Sequence, residues 1–126
     1  MRCAGMIMRL DFASSVPIYQ QIRDEIVQAI ADERFLDGDR LPTIRALAGE
    51  IGVNTMTVNK AYQLLKQEGY IITDRRNGAV VQCASGKKKA LEKKMKKELE
   101  LLIAEAKIAG ISQEEFLALC NSIYEK

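Results

Sequence analysis

Between Leu41 and Ile72 the apolar residues recur at three- and four-residue steps in two runs, separated by a single Gly-Val break. In the first run Ile44, Leu47, Ala48 and Ile51 share one face, with Pro42 just before it and Thr43 placed to cap its amino end. Gly52 then ends the helix as a left-handed residue does. Asn54 is placed to cap a second helix, where Met56 or Thr57, Val58, Ala61, Leu64 and Leu65 keep the helical spacing until Gly69 stops it. Two short helices joined in this way predict a helix-turn-helix. Upstream, Ile18, Ile22, Ile26 and Ile30, with Val27 and Ala29 beside them, predict an opening helix from Pro17 to about Arg34. Pro17 stands at its first position, and Ser14 or Ser15 is its cap. Downstream, Tyr70–Thr73 and Ala79–Gln82 read as two strands around Asp74-Arg75-Arg76-Asn77-Gly78, where an Asn-Gly pair tolerant of positive φ predicts a hairpin.

Beyond Gly86 the pattern changes. Leu91, Met95, Leu99, Leu102, Ala106 and Ala109 predict one long amphipathic helix that Gly110 ends. Ser112 with Glu115 is a capping box, opening a last helix with Phe116, Leu117, Leu119, Cys120, Ile123 and Tyr124 on a broad apolar face. Two helices cannot bury that much apolar surface alone. Either they fold back onto the preceding domain or they pair with the same segment of a second chain. Pairing is the expected arrangement, through Leu91, Met95, Leu99, Leu102, Ala106, Phe116, Leu119, Cys120 and Ile123, because one recognition helix reads only a few base pairs and a dimer doubles the site. The predicted class is therefore mostly α with a small β-hairpin: an amino-terminal arm over 1–15, a winged helix-turn-helix over 16–84 and a helical dimerisation segment over 85–126.

The second helix of the pair leaves Asn54, Thr55, Thr57, Asn59 and Lys60 outside its apolar face. Such residues at the start of a recognition helix suit base edges and phosphate in the major groove of double-stranded DNA. Met56 among them either touches a thymine methyl or turns into the core. The hairpin carries Arg75 and Arg76 at its tip, as a wing that lies along the backbone or in the minor groove would. The alternative reading is a winged-helix module that docks another protein, whose surface should carry aromatic or aliphatic anchors where this chain has small polar and basic residues.

These residues resemble the GntR-type bacterial transcription regulators. The resemblance rests on PIYQQIRDEIVQAI, on GDRLPT, on RALAGEIGVN through the turn and on TVNKAYQLLKQEGYI through the recognition helix, and spans Val16 to Gln82. It implies DNA contacts from Arg45, Asn54, Thr55, Thr57 and Asn59 and from the wing at Gly78. The full candidate set is Thr43, Arg45, Asn54, Thr55, Met56, Thr57, Asn59, Lys60, Arg75, Arg76, Asn77 and Gly78. Many members carry Arg where this chain has Thr55, so a guanine-reading fork is missing and the sequence preference should differ from theirs. The brief two-helix tail is similar to the YtrA-type branch, in which a short carboxyl-terminal region pairs subunits in place of a large effector domain. The resemblance further implies a homodimeric repressor of a nearby operon. The tail is too small for the ligand cavity of longer relatives, and any small-molecule effector stays unassigned.

Composition narrows the remaining classes. At 48% hydrophobic and 29% charged residues the chain is ordinary globular material. No run approaches the roughly 18 apolar residues of a membrane span, and the amino end lacks the apolar stretch of a signal peptide, so a cytoplasmic location is expected. Cys3, Cys83 and Cys120 are odd in number and far apart, as reduced structural thiols would be. The chain has no His, no phosphate-cradling glycine loop and no nucleophile elbow, which argues against an enzyme. Asp37-Gly38-Asp39 reads as a turn and not a metal loop, because no further ligands follow at the right spacing; no cofactor or metal is expected. A net charge of +2 argues nothing alone. Its distribution does, since Arg40, Arg45, Lys60, Lys66, Arg75 and Arg76 outnumber the acids near them. The run Lys87, Lys88, Lys89, Lys93, Lys94, Lys96 and Lys97 reads as a solvated helix face, with a phosphate-facing patch as the competing reading.

Overall fold

The four-residue isoleucine spacing becomes α1, Ile18–Ala31, with Ile22, Ile26 and Ala29 sealed from solvent. In the computed structural model, which describes residues 8–82 and 88–125, α1 packs against α3, Thr55–Gln67, and α3 against α2, Ile44–Ile51. Cys3, Cys83 and Lys87 lie outside the described residues. The core joins Ile22, Ile26, Leu47, Val58, Leu65, Ile71 and Val81, each essentially inaccessible. Burying each such side chain contributes roughly 1.5–3 kcal/mol. Phe35 and Tyr62 belong to it as well. Periodicity points to neither, because Phe35 follows a helix end and Tyr62 has a hydroxyl that needs a partner. Burial of Tyr62 works because that hydroxyl donates to the Pro42 carbonyl at 2.6 Å.

Both ends of α1 differ from expectation. Pro17 occupies the cap position itself and its carbonyl accepts from Gln20 and Gln21, while the Ser14 hydroxyl accepts from Val16 N–H one turn earlier. The helix stops at Ala31 and not near Arg34. Glu33 adopts φ 62°, which lets Arg34 N–H reach the Ala29 carbonyl and Glu33 N–H the Ile30 carbonyl, a Schellman closure. Residues 8–16 lie back on α1: Gln21 accepts from Asp11 N–H and donates to the Asp11 and Val16 carbonyls, and Met8 and Leu10 touch the core.

After α3 the chain forms β1, Ile71–Asp74, and β2, Gly78–Val81, antiparallel with Ile71 opposite Val81 and Asp74 opposite Gly78. That register turns Ile71 and Val81 inward and leaves Ile72 half exposed. A third segment joins the sheet just before α2: Arg40 bridges Val80, Leu41 N–H donates to Ala79 O, and Val81 N–H donates to Asp39 O. Arg23 ties the layers together. Its guanidinium bonds Glu68 and Asp24, each at 2.8 Å, and lies 5.7 Å from the centre of the Tyr70 ring. Burial works against its charge, but the bonds to Glu68 and Asp24 outweigh this and hold its pKa above the ordinary arginine value.

The chain divides into two compact units, Met1–Ala84 and Ser85–Lys126. The second consists of α4, Lys88–Ile108, and α5, Gln113–Tyr124. Gly110 at φ 82° closes α4, and Ser112 and Glu115 form the expected capping box, which draws the Glu115 carboxyl below its usual range. No described residue of α4 or α5 is buried.

Candidate nucleic-acid interface

The face opposite the core of α3 is where the candidate residues gather. Asn54 holds an extended backbone, φ −68° and ψ 142°, and its side-chain oxygen accepts from Met56 N–H at 2.7 Å, so the predicted cap is formed. From there Thr55, Met56, Asn59 and Lys60 are exposed while Val58, Ala61, Tyr62 and Leu65 are buried, and Thr57 sits half-buried at the boundary. Gln63, one turn beyond Asn59, shares the exposed face; its place follows from the same period, but it lies outside the first turns that sequence reasoning favours. Met56 is 76% exposed, which removes the core alternative. Lys60 is not simply a free charge. Its ammonium lies 4.2 Å from the centre of the Tyr19 ring on α1, an attraction that restricts the side chain beside the exposed face.

No acidic residue occupies the first turn of α2 or α3. The partial positive charge of both helix ends is therefore not offset by a carboxylate of the helix's own first turn, an arrangement that favours anions. Thr43 spends its hydroxyl on the cap of α2, accepting from Ala46 N–H at 3.0 Å, whereas Arg45 is exposed on the same helix. Gly52 closes α2 at φ 71°, which fixes the turn into Asn54.

At the wing, Arg75 and Arg76 are exposed on the three residues that separate the strands. Only Gly78 of the Asn-Gly pair takes positive φ, at 68°. Asn77 serves differently. Its backbone and side-chain N–H groups donate to the Asp74 carboxylate at 2.5 and 3.2 Å, and its side-chain oxygen accepts from Arg40 at 2.5 Å. Those bonds from Asn77, aided by the more distant Arg40 charge, hold the Asp74 carboxyl below its usual range. From the sequence alone Asn77 reads as a DNA-facing residue and Arg40 does not stand out beside it, because the link joins positions 37 residues apart.

In the second unit the structure brings Leu99, Ala106, Phe116 and Cys120 together along an apolar groove of about 410 Å³ between α4 and α5. It does not bring Leu91, Met95, Leu102, Leu119 or Ile123 into that groove. Leu91, Met95 and Leu102 fall within about 40° of one another around α4, on a stripe beside it, and remain 41–51% exposed. Leu119 and Ile123 are more exposed still.

The family model for bacterial regulatory proteins of the gntR family matches residues 18–81. The HTH-type transcriptional repressor YtrA of Bacillus subtilis is 37% identical over 112 residues, covering 86% of this chain and 85% of the relative. A transcriptional antiterminator from Listeria monocytogenes superposes with a TM-score of 0.82 at 31% identity, over 95% of this chain and 90% of the other. The DNA-binding domain of AraR, solved in complex with an operator, superposes with a TM-score of 0.54 at 25% identity, over 60% of this chain and 95% of that one. With the capped helix pair, the hairpin and the short helical tail, these matches show that the chain belongs to the gntR family of bacterial regulatory proteins, as a winged helix-turn-helix transcriptional regulator similar to YtrA.

Proposed function

We propose that the protein represses transcription as a cytoplasmic homodimer, each subunit setting α3 into the major groove at one half of an inverted repeat. The observation that carries this reading is the outer face of α3, where Thr55, Asn59 and Lys60 stand exposed beyond a cap that fixes the first turn. These groups donate and accept at base edges, Met56 supplies an apolar surface suited to a thymine methyl, and Thr57 reaches from the rim. Arg45, with Arg75 and Arg76 on the wing, supplies phosphate contacts that set register without reading sequence. Thr43, Asn54 and Asn77 hold the backbone that presents them, and Gly78 supplies the left-handed turn of the wing. The uncovered stripe of Leu91, Met95 and Leu102 supports pairing with a second copy. The role is regulatory and not enzymatic, in keeping with the family. The protein-docking alternative needs a cluster of apolar anchors on α3, and its outer face offers Met56 alone.

Binding measured by fluorescence anisotropy across a salt series separates base reading from phosphate binding. Asn59→Ala or Thr57→Ala should cost about 1–3 kcal/mol and relax preference at one base pair per half-site. Arg75→Ala with Arg76→Ala should weaken all sequences alike and lower the logarithmic salt slope by about 0.9 for each phosphate no longer neutralised. Unchanged affinity and slope in the arginine variant would remove the wing from the mechanism.

A further inference from the structure

The wing of this protein is held at two points, and the second comes from outside the hairpin. Asn77 bonds Asp74 through its nitrogen atoms and Arg40 through its oxygen, so a cation and an anion lie on the two ends of one amide dipole. This polarity fixes the orientation of the amide, since reversing it would set its N–H groups against a guanidinium and its oxygen against a carboxylate. Arg40 is itself anchored. Its backbone bridges Val80 on β2, the next residue bonds Ala79, and Leu41 is buried two positions before the Thr43 cap of α2. The side chain of Arg40 therefore spans from the root of α2 to the tip that carries Arg75 and Arg76.

We infer that Arg40 is a positioning residue for the wing: through Asn77 it holds the tip at a fixed place relative to α2, so that the wing arginines meet the DNA backbone without first being ordered. The inference rests on the DNA-binding reading above. Held by Asp74 alone, the tip would keep its hairpin and the backbone bonds that join residues 39–41 to β2 but lose the side-chain link at the tip itself, and ordering the tip on binding would cost affinity. Arg40 acts in this account through Asn77 and not as a phosphate ligand, and the two roles separate in a double-mutant cycle.

The test compares the full chain with Arg40→Ala, Asn77→Ala and the double variant on one duplex at several salt concentrations, with thermal melts alongside. The expected result is a loss of about three- to tenfold for each single variant, and a double variant no weaker than the weaker single one. The salt slope and the melting temperature should stay as in the parent. Losses that multiply in the double variant would overturn the inference, as would unchanged affinity in Arg40→Ala. A salt slope lower by about 0.9 in Arg40→Ala would also overturn it, by making Arg40 a phosphate ligand. If Arg40→Ala melts early, Arg40→Gln with Asn77→Ala completes the same cycle. Binding by the parent protein that shows no dependence on Arg75 and Arg76 would instead count against the wing's role in DNA binding, which leaves the two failures distinguishable.

Discussion

Met95→Asp combined with Leu102→Asp is expected to yield a monomer that binds a half-site as before and the full inverted repeat at least 100-fold more weakly. The two residues are 44% and 51% exposed and lie outside the groove between α4 and α5, so the change spares the packing of those two helices on each other. In a dimer the same stripe would be covered, and four carboxylates would then have to lose water without partners, which a protein interface does not tolerate. Once the chains separate, the second half-site no longer binds at the high effective concentration set by the first. That advantage is worth on the order of 10²–10⁴ in affinity. Sedimentation and anisotropy on full and half duplexes measure both consequences. A variant that sediments as two chains, or that keeps full affinity as one, would place the dimer interface elsewhere or remove it from the mechanism.

The second large effect concerns stability. Leu65 is fully inaccessible on the inner side of α3, one helical turn from Ala61 and close to the ion pair that ties α1 to Glu68. Leu65→Ala removes apolar packing and leaves a cavity, at a cost of about 2–5 kcal/mol. For a domain whose total stability is roughly 5–15 kcal/mol, that is a large share. The melting temperature should fall by about 8–40 °C, given roughly 4–8 °C per kcal/mol in a domain of this size. Asn59→Ala, on the opposite side of the same helix, should change stability by no more than about 0.5 kcal/mol. Circular dichroism melts of the two variants, set beside their DNA affinities, separate what holds α3 in place from what it reads. Equal melting temperatures would mean that α3 is not built into the core as its burial indicates.

The helices of both units are legible in the chain because each announces itself by period and all but α1 by punctuation. Thr43, Gly52, Asn54, Gly69, Gly110 and the Ser112–Glu115 box stand where they end or begin, and the observed caps use them. These are local signals. What escapes them depends on distant neighbours or on backbone geometry without a signature residue. Glu33 in a left-handed conformation ends α1 where a glycine would have announced the stop. Tyr62 reads as polar until Pro42 supplies its partner. Asn77 reads as half of a turn pair with a DNA-facing amide, and only the fold brings Arg40 to it across the sheet. Lys60 likewise reads as a free cation until Tyr19 of α1 is placed beneath it. At the recognition helix, periodicity suffices to choose the outer face but leaves Met56 open between two sides, because its position borders both apolar and polar runs. Its 76% exposure decides the matter.

Selection of bound duplexes from a random pool at one stated salt concentration, carried out in parallel with the parent and Asn59→Ala, tests the central claim most directly. The expected outcome is an inverted repeat whose half-sites lie about 10 base pairs apart, centre to centre, or a multiple of that. The variant should lose preference at one symmetry-related position in each half. A pool without enrichment, or an enriched site that is asymmetric and indifferent to Asn59, would contradict the reading of α3 as the element that recognises DNA in a symmetric pair.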